Sequence, residues 1–233
     1  MRRSILIVKC GSTPRPVSAK FGDYETWFIR ALGGDPSQFT VVSPQKGEPF
    51  PEPSRCAAIL VTGSPSSVLE RRPWMTETGT YLLKAAEKAV PVLGVCFGHQ
   101  LLVDALGGTL QKNPRGREFG TIDVELTAEG QKHPLFRGLP AKPSFQSTHE
   151  DEVSALPAGA TLLGGNAFTA IQAFQMGASI FGVQFHPELW LEPVKAIAEE
   201  RRLQPQQYRA EEAPAGRALL QSFQRQYIAP RAD

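Results

Sequence analysis

The chain has 233 residues, with Lys plus Arg at 25 against Asp plus Glu at 23, a formal net charge of +2. That balance gives no bulk-charge reason for binding nucleic acid or an anionic membrane. Hydrophobic residues make up 41%, and no apolar run approaches the ~20 residues needed to cross a bilayer, so a spanning helix is excluded. Cys10, Cys56 and Cys96 are too few and too scattered for a disulfide framework, which points to a reducing cytoplasm. The length fits one large α/β domain over residues 1–233.

Met1-Arg2-Arg3 followed by an apolar run imitates a signal peptide, but the run stops at Lys9. Ser4–Val8 therefore reads as the first, buried strand. Residues 23–32 place Trp27, Phe28, Ala31 and Leu32 at helical spacing and stop at Gly33-Gly34. A short strand over Phe39–Val42 leads into a Pro-rich turn region, 44–53. Residues 57–61 form a strand that runs into Thr62-Gly63-Ser64-Pro65-Ser66-Ser67. A helix over 78–88, a strand over Val92–Val95 and a helix over 99–106, stopped by Gly107-Gly108, complete the first half.

Beyond residue 120 the pattern changes. Residues 121–126 alternate like a half-exposed strand. Short apolar pieces at 145–147, 161–164, 169–174 and 179–184 predict meandering, partly antiparallel strands. Helices follow over 193–202 and 216–227, with a polar surface loop at 204–214 between them. The alternation predicts an α/β fold of three layers, with a mixed, mostly parallel central sheet flanked by helices.

Gly94-Val95-Cys96-Phe97-Gly98 is the segment that carries chemistry. Glycines two residues either side of a nucleophile mark a tight strand-to-helix elbow, where larger side chains would strike neighbouring backbone. The turn pushes the sulfur out at the C-terminal edge of the sheet. It also leaves the Phe97 N–H at a helix N-terminus, able to hold negative charge. A free thiol is only a few per cent ionised at neutral pH, so it needs a base or an electropositive setting. Of His99, His133, His149 and His186, the last is best placed. It ends a β-type run in Gly182-Val183-Gln184-Phe185-His186-Pro187-Glu188, with Pro187 stiffening the corner and Glu188 available to fix the tautomer.

Gly94–Gln100 together with Gly182–Glu188 resembles the class I glutamine amidotransferases, and the resemblance spans nearly the whole chain. Residues 62–68 are similar to the family's oxyanion loop, and Arg117-Glu118-Phe119-Gly120 and Thr148-His149-Glu150-Asp151 resemble segments that line or support the glutamine pocket of the GMP synthetase amidotransferase domain. The resemblance implies the family's flavodoxin-like fold and a Cys96-His186-Glu188 triad that cleaves a γ-glutamyl amide through a thioester. It implies an oxyanion hole of the Phe97 and Ser64 backbone N–H groups. Gly63, Gln100, Thr148, His149 and Glu150 are implied at the substrate. Where GMP synthetases usually have Gly-Gly-Pro, this chain has Gly63-Ser64-Pro65, so Ser64 must donate without glycine's backbone freedom.

The other candidates have plainer readings. Cys10 and Cys56 read as buried thiols and His99 as a packed or hydrogen-bonded helix residue. His133 reads as part of a turn with an apolar anchor, and Arg71-Arg72 and Arg201-Arg202 as solvated charge. No Cys-x-x-Cys or His-x-x-x-His spacing exists, so no metal and no cofactor is expected. The implied small-molecule partner is glutamine or a γ-glutamyl compound. The chain leaves no room for an ATP-binding synthetase and has no P-loop, so the expectation is a free-standing hydrolase similar to the γ-glutamyl peptidases. The alternatives are a glutaminase subunit that delivers ammonia to a separate synthetase, and a non-catalytic binding or regulatory module of the same fold.

Overall fold

A computed structural model describes residues 3–228. The first half runs β1 (Ser4–Val8), α1 (Arg15–Phe21), α2 (Tyr24–Leu32), β2 (Phe39–Val42), β3 (Cys56–Val61), α3 (Pro73–Glu87), β4 (Val92–Val95) and α4 (Phe97–Ala105). The second half begins with β5 (Thr109–Lys112), β6 (Glu118–Asp123), β7 (Glu125–Leu126), α5 (Ala128–Lys132), β8 (Ser144–His149) and β9 (Asp151–Ala155). It ends with β10 (Thr161–Gly165), β11 (Ala173–Met176), β12 (Ile180–Val183), α6 (Leu191–Glu200) and α7 (Ala215–Phe223), whose last turn widens into a π-helical segment, Gln224–Ile228.

Eight strands form one sheet in the order β2-β1-β3-β4-β12-β11-β10-β7. Neighbours from β2 to β12 are parallel, and the pairs from β12 to β7 are antiparallel. Near-continuous apolar runs such as Ile5–Val8 are what a parallel strand covered on both faces requires. Ile5, Ile7, Leu60 and Val95 pack against Phe28 and Leu32 of α2 and Leu219 and Phe223 of α7. Leu6, Val8, Ile59 and Val92 pack the other way, against Met75 and Leu82 of α3 and Leu101 and Leu102 of α4. Each such side chain, fully buried, contributes about 1.5–3 kcal/mol.

Two antiparallel ribbons, β5/β9 and β6/β8, stand outside the main sheet. The β6/β8 register pairs Glu118 with His149, which joins two segments far apart in sequence. The 204–214 segment is pinned along this ribbon: Thr121 N donates to Arg209 O (2.7 Å) and Gln146 Nε2 to Glu211 O (2.8 Å).

Several boundaries differ from the sequence reading, each for a local reason. Helix α3 begins at Pro73 rather than 78, because proline at a first helical position gives up no hydrogen bond. The strand expected at 121–126 starts at Glu118 and breaks at Val124, and the one expected at 169–174 begins only at Ala173. There Asn166 Oδ1 accepts from the N–H groups of Phe168 and Thr169, an Asx turn that holds residues 166–169 out of the ladder. Helices α1 and α5 and strands β5 and β9 had no counterpart in the sequence reading. The polar segment 204–214 contains a single 3-10 turn, Pro205–Gln207.

Candidate active site

The parallel strands β1, β3, β4 and β12 all end on one edge of the sheet, where open α/β sheets bind their ligands. Cys96 follows β4 directly, with φ 51 and ψ −102, a left-handed conformation that a side chain rarely adopts. Crowding imposes it. A Cβ on Gly98 would lie 2.6 Å from Val61 O, and one on Gly94 would run into the Gly98 carbonyl. Phe97 opens α4, so its N–H has no carbonyl one turn back within the helix. Its ring is buried and stacks on Trp74 at 5.6 Å.

Gly182 and Val183 of β12 lie opposite Gly94 and Val95, and Cys96 N donates to Val183 O at 2.8 Å. His186, three residues past β12, therefore reaches the same edge. Its N–H donates to Gln146 O of β8 (2.8 Å), and its Nδ1 lies 2.7 Å from Glu188 Oε1. Both side chains are buried. Burial opposes a charged imidazole there, but the Glu188 carboxylate and then the Cys96 sulfur hold His186 up at about 10. Tyr24 of α2 lies parallel to the imidazole at 6.5 Å. Gly63 sits where a Cβ would come within 2.9 Å of His186 Cε1, so a larger residue would displace the ring.

Beside the sulfur is a cleft of about 210 Å³ bordered by Ser64, Cys96, Phe97, Gln100, Thr148, His149 and Glu150. Among the described residues, the non-glycines with positive φ are Arg71, Ala89, Cys96 and Arg202, so Ser64 takes an ordinary backbone conformation. Its hydroxyl donates to Cys10 O (2.9 Å) and accepts from Ser66 N (3.1 Å), which ties the loop to the end of β1. Gln100 Nε2 donates to Asp151 O (2.8 Å) and Gln184 Oε1 (3.1 Å), bracing the 148–151 segment. Thr148 O lies 3.8 Å from Cys96 Sγ. His149 is buried, with Nε2 2.8 Å from Glu118 Oε2 and Nδ1 2.9 Å from Asp151 O. Glu150 stays exposed and pairs with Arg117 at 2.6 Å.

Cys96, His186, Glu188, Phe97, Gly63 and Ser64 are thus brought to one sheet edge, with Thr148–Glu150 bordering the cleft and Gln100, one turn along α4 from Cys96, reaching across to Asp151. His99 instead packs on Phe174 beneath the elbow, where burial pushes it down to about 3. His133 caps the Pro134–Phe136 turn. Sequence reasoning passed over Arg201, which also borders the cleft with Lys112 and Arg117 of the 112–120 segment, and gave Tyr24 no place at the site. Arg201 belongs to neither a motif nor an apolar pattern. It is brought in by the end of α6, and its reading as solvated charge overlooked the cleft.

The glutamine amidotransferase class-I family model matches residues 22–202. The chain belongs to that family. It is 33% identical over 164 residues to a subunit of the glutamine-hydrolyzing GMP synthase of Saccharolobus solfataricus, covering 69% of this chain and 80% of that one. It is 26% identical over 193 residues to gamma-glutamyl peptidase 3 of Arabidopsis thaliana, covering 80% and 76%. Against the glutamine-hydrolyzing GMP synthase of Streptomyces coelicolor it is 37% identical over 134 residues, 57% of this chain but only 24% of that one. The chain thus spans about a quarter of such full-length relatives. A solved glutamine amidotransferase from Thermotoga maritima shares the fold, with TM-score 0.75 at 20% identity over 98% of this chain and 99% of that one. Among the described residues, no helix is long and apolar enough to cross a membrane.

Proposed function

We propose that this amidotransferase-family protein hydrolyses the γ-glutamyl amide bond of glutamine or of a γ-glutamyl compound, acting as a free-standing enzyme of one domain. The observation that carries the reading is the strained, buried Cys96 beside an imidazole whose far nitrogen is 2.7 Å from Glu188. Charge on His186 provides the electropositive neighbour that a thiolate nucleophile requires.

Cys96 Sγ attacks the γ-carbonyl, and the oxyanion is held by the Phe97 and Ser64 backbone N–H groups; removing one such donor elsewhere costs about 10²–10³ in rate. His186 protonates the departing amine while Glu188 keeps the imidazole oriented. Water, deprotonated by His186, then cleaves the thioester to glutamate. Gly63 leaves room for the ring, Gln100 braces the far wall, and Thr148, His149 and Glu150 close over the α-amino and carboxylate end. No metal or cofactor enters these steps. The buried free thiols of Cys10 and Cys56 fit a cytoplasmic protein.

The family members that match along most of their own length support this reading in two forms. One is named a peptidase of γ-glutamyl substrates and the other a subunit of a glutamine-hydrolysing synthase. The subunit form, with ammonia passed to a separate synthetase, is the second reading.

Purified protein offered glutamine and γ-glutamyl dipeptides should release glutamate, and Cys96→Ala should lower that release by about 10⁴-fold or more. A γ-glutamyl-directed alkylating analogue should label wild type at Cys96. Labelling of equal extent in Cys96→Ala would falsify the nucleophile assignment. Release that appears only when a synthetase is added would favour the subunit form.

A further inference from the structure

The cleft beside Cys96 holds more positive than negative charge. Its described lining includes Lys112, Arg117 and Arg201 against Glu150 and Asp151. Glu150 faces two of those cations, Arg117 at 2.6 Å and Lys112 at 3.9 Å. The Asp151 carboxylate accepts a hydrogen bond from Ser67 Oγ. Arg201 makes no ion pair or side-chain hydrogen bond among the described residues. It stands at the end of α6 on the rim of the cleft, where partial desolvation and then the Arg117 charge lower its hold on the proton and the Glu150 charge opposes them. Arg117 already has Glu150 as its partner, whereas Arg201 has no carboxylate within ion-pair distance among the described residues, so Arg201 is the cation of this cleft that an outside anion would complete.

A glutamyl group bound through its γ-carbonyl brings one α-ammonium and one α-carboxylate. Its head is neutral, so seating it leaves the surplus cation unmatched. The only other part of the substrate is the amine that leaves. We propose that Arg201 reads a carboxylate on that leaving amine, making the substrate class γ-glutamyl amino acids and peptides with a free carboxylate beyond the scissile bond. This rests on the γ-glutamyl hydrolysis described above and narrows it. The S–C bond forms first, giving the oxyanion, and the C–N bond breaks as that oxyanion collapses. The amine departs with the proton from His186 and carries its carboxylate past Arg201. Water then cleaves the thioester, releasing glutamate and regenerating the thiol.

γ-Glutamylglycine and γ-glutamylglycinamide differ only in that carboxylate. Wild type should prefer the acid in kcat/KM by about tenfold to a hundredfold, the range of a charge-assisted hydrogen bond. In Arg201→Gln the ratio should fall to about one, and Arg201→Lys should restore part of it. The proposal is overturned by a wild-type ratio near one, by a ratio that survives Arg201→Gln, or by equal losses on both substrates, which would assign Arg201 to the glutamyl α-carboxylate. Calorimetric binding of the same pair to Cys96→Ala separates this from catalysis. Tighter binding of the acid, abolished by adding Arg201→Gln, supports the carboxylate site even where wild type turns over neither compound, an outcome that would remove the hydrolysis reading alone. Absence of any acid preference in binding removes the carboxylate site.

Discussion

The two walls of the candidate site, where Cys96 alone of the three triad residues borders the cleft, are built on opposite principles. The wall carrying Cys96, His186 and Glu188 grows out of the parallel strands β4 and β12, and the His186 and Glu188 side chains are 2% and 0% exposed. The facing wall comes from the ribbons β5/β9 and β6/β8 and the end of α6, and there the Arg117 and Glu150 side chains are 34% and 46% exposed. On the first wall, geometry is enforced by crowding and low dielectric, and a small displacement has large electrostatic consequences. On the second, water and salt screen the charges and the side chains keep their freedom. On the proposed reading, reaction geometry belongs to the rigid wall and discrimination between substrates to the adjustable one.

Four substitutions bear on that contrast, in descending size of effect. Glu188→Gln keeps a hydrogen-bonding group on Nδ1 but removes its charge, and should lower kcat by about 10²-fold or more. It also has a pH signature. His186 is held at about 10, above the 6.5 of an ordinary imidazole, so its charged form stabilises the fold fully below pH 6.5. That contribution is lost as pH rises toward 10. Wild type should therefore melt at progressively lower temperature across that window, and Glu188→Gln should flatten the decline; an unchanged slope would break the assignment.

Gly94→Ala on the rigid wall forces a Cβ into the Gly98 carbonyl and should cost about 3 kcal/mol in urea unfolding. Gly116→Ala, beside the charged wall, meets nothing within 4 Å and strains only φ 85, for about 1 kcal/mol. Equal costs would erase the contrast. The smallest effect belongs to Asp123, whose exposed pair with Arg209 pins the 204–214 segment to the β6/β8 ribbon. The Arg209 hydrogen bond, with Ser144 assisting, holds Asp123 down to about 2, below the ordinary 3.8. Its contribution is present above pH 3.8 and lost as pH falls through about 2. Asp123→Asn should shift stability by under about 1 kcal/mol at pH 7 and by nothing measurable near pH 2; a larger shift at pH 7 would show the ribbon to be held by charge.

The rigid wall was legible in the sequence, and the adjustable one only in part. Parallel strands buried on both faces are continuous apolar runs, and the crowded elbow demands glycine at 94 and 98, so both leave marks that need no knowledge of distant contacts. β5 leaves none: Thr109–Lys112 is mostly exposed and is a strand only because Asp151–Ala155 pairs with it. Helix α1 buries Val17 alone, so no apolar stripe announces it. Helix α5 is five residues long with Gly130 in its middle, where any Cβ would strike the Leu163 carbonyl. Arg201 reads as solvated charge because its meaning depends on where α6 ends relative to β4, a tertiary fact.

The placement of β12 between β4 and β11 has a consequence for how the protein comes into being. During synthesis Cys96 emerges long before Val183, to whose carbonyl its N–H is eventually bonded. Until residues 180–188 have been made, β4 has an unpaired edge and the cysteine has no imidazole beside it. Closing that gap is a contact between distant parts of the chain, the kind that forms slowly. A nascent or truncated chain that stops short of β12 therefore carries an ordinary thiol on an open strand edge, and the reactivity proposed for it would arrive only when the middle of the sheet is filled.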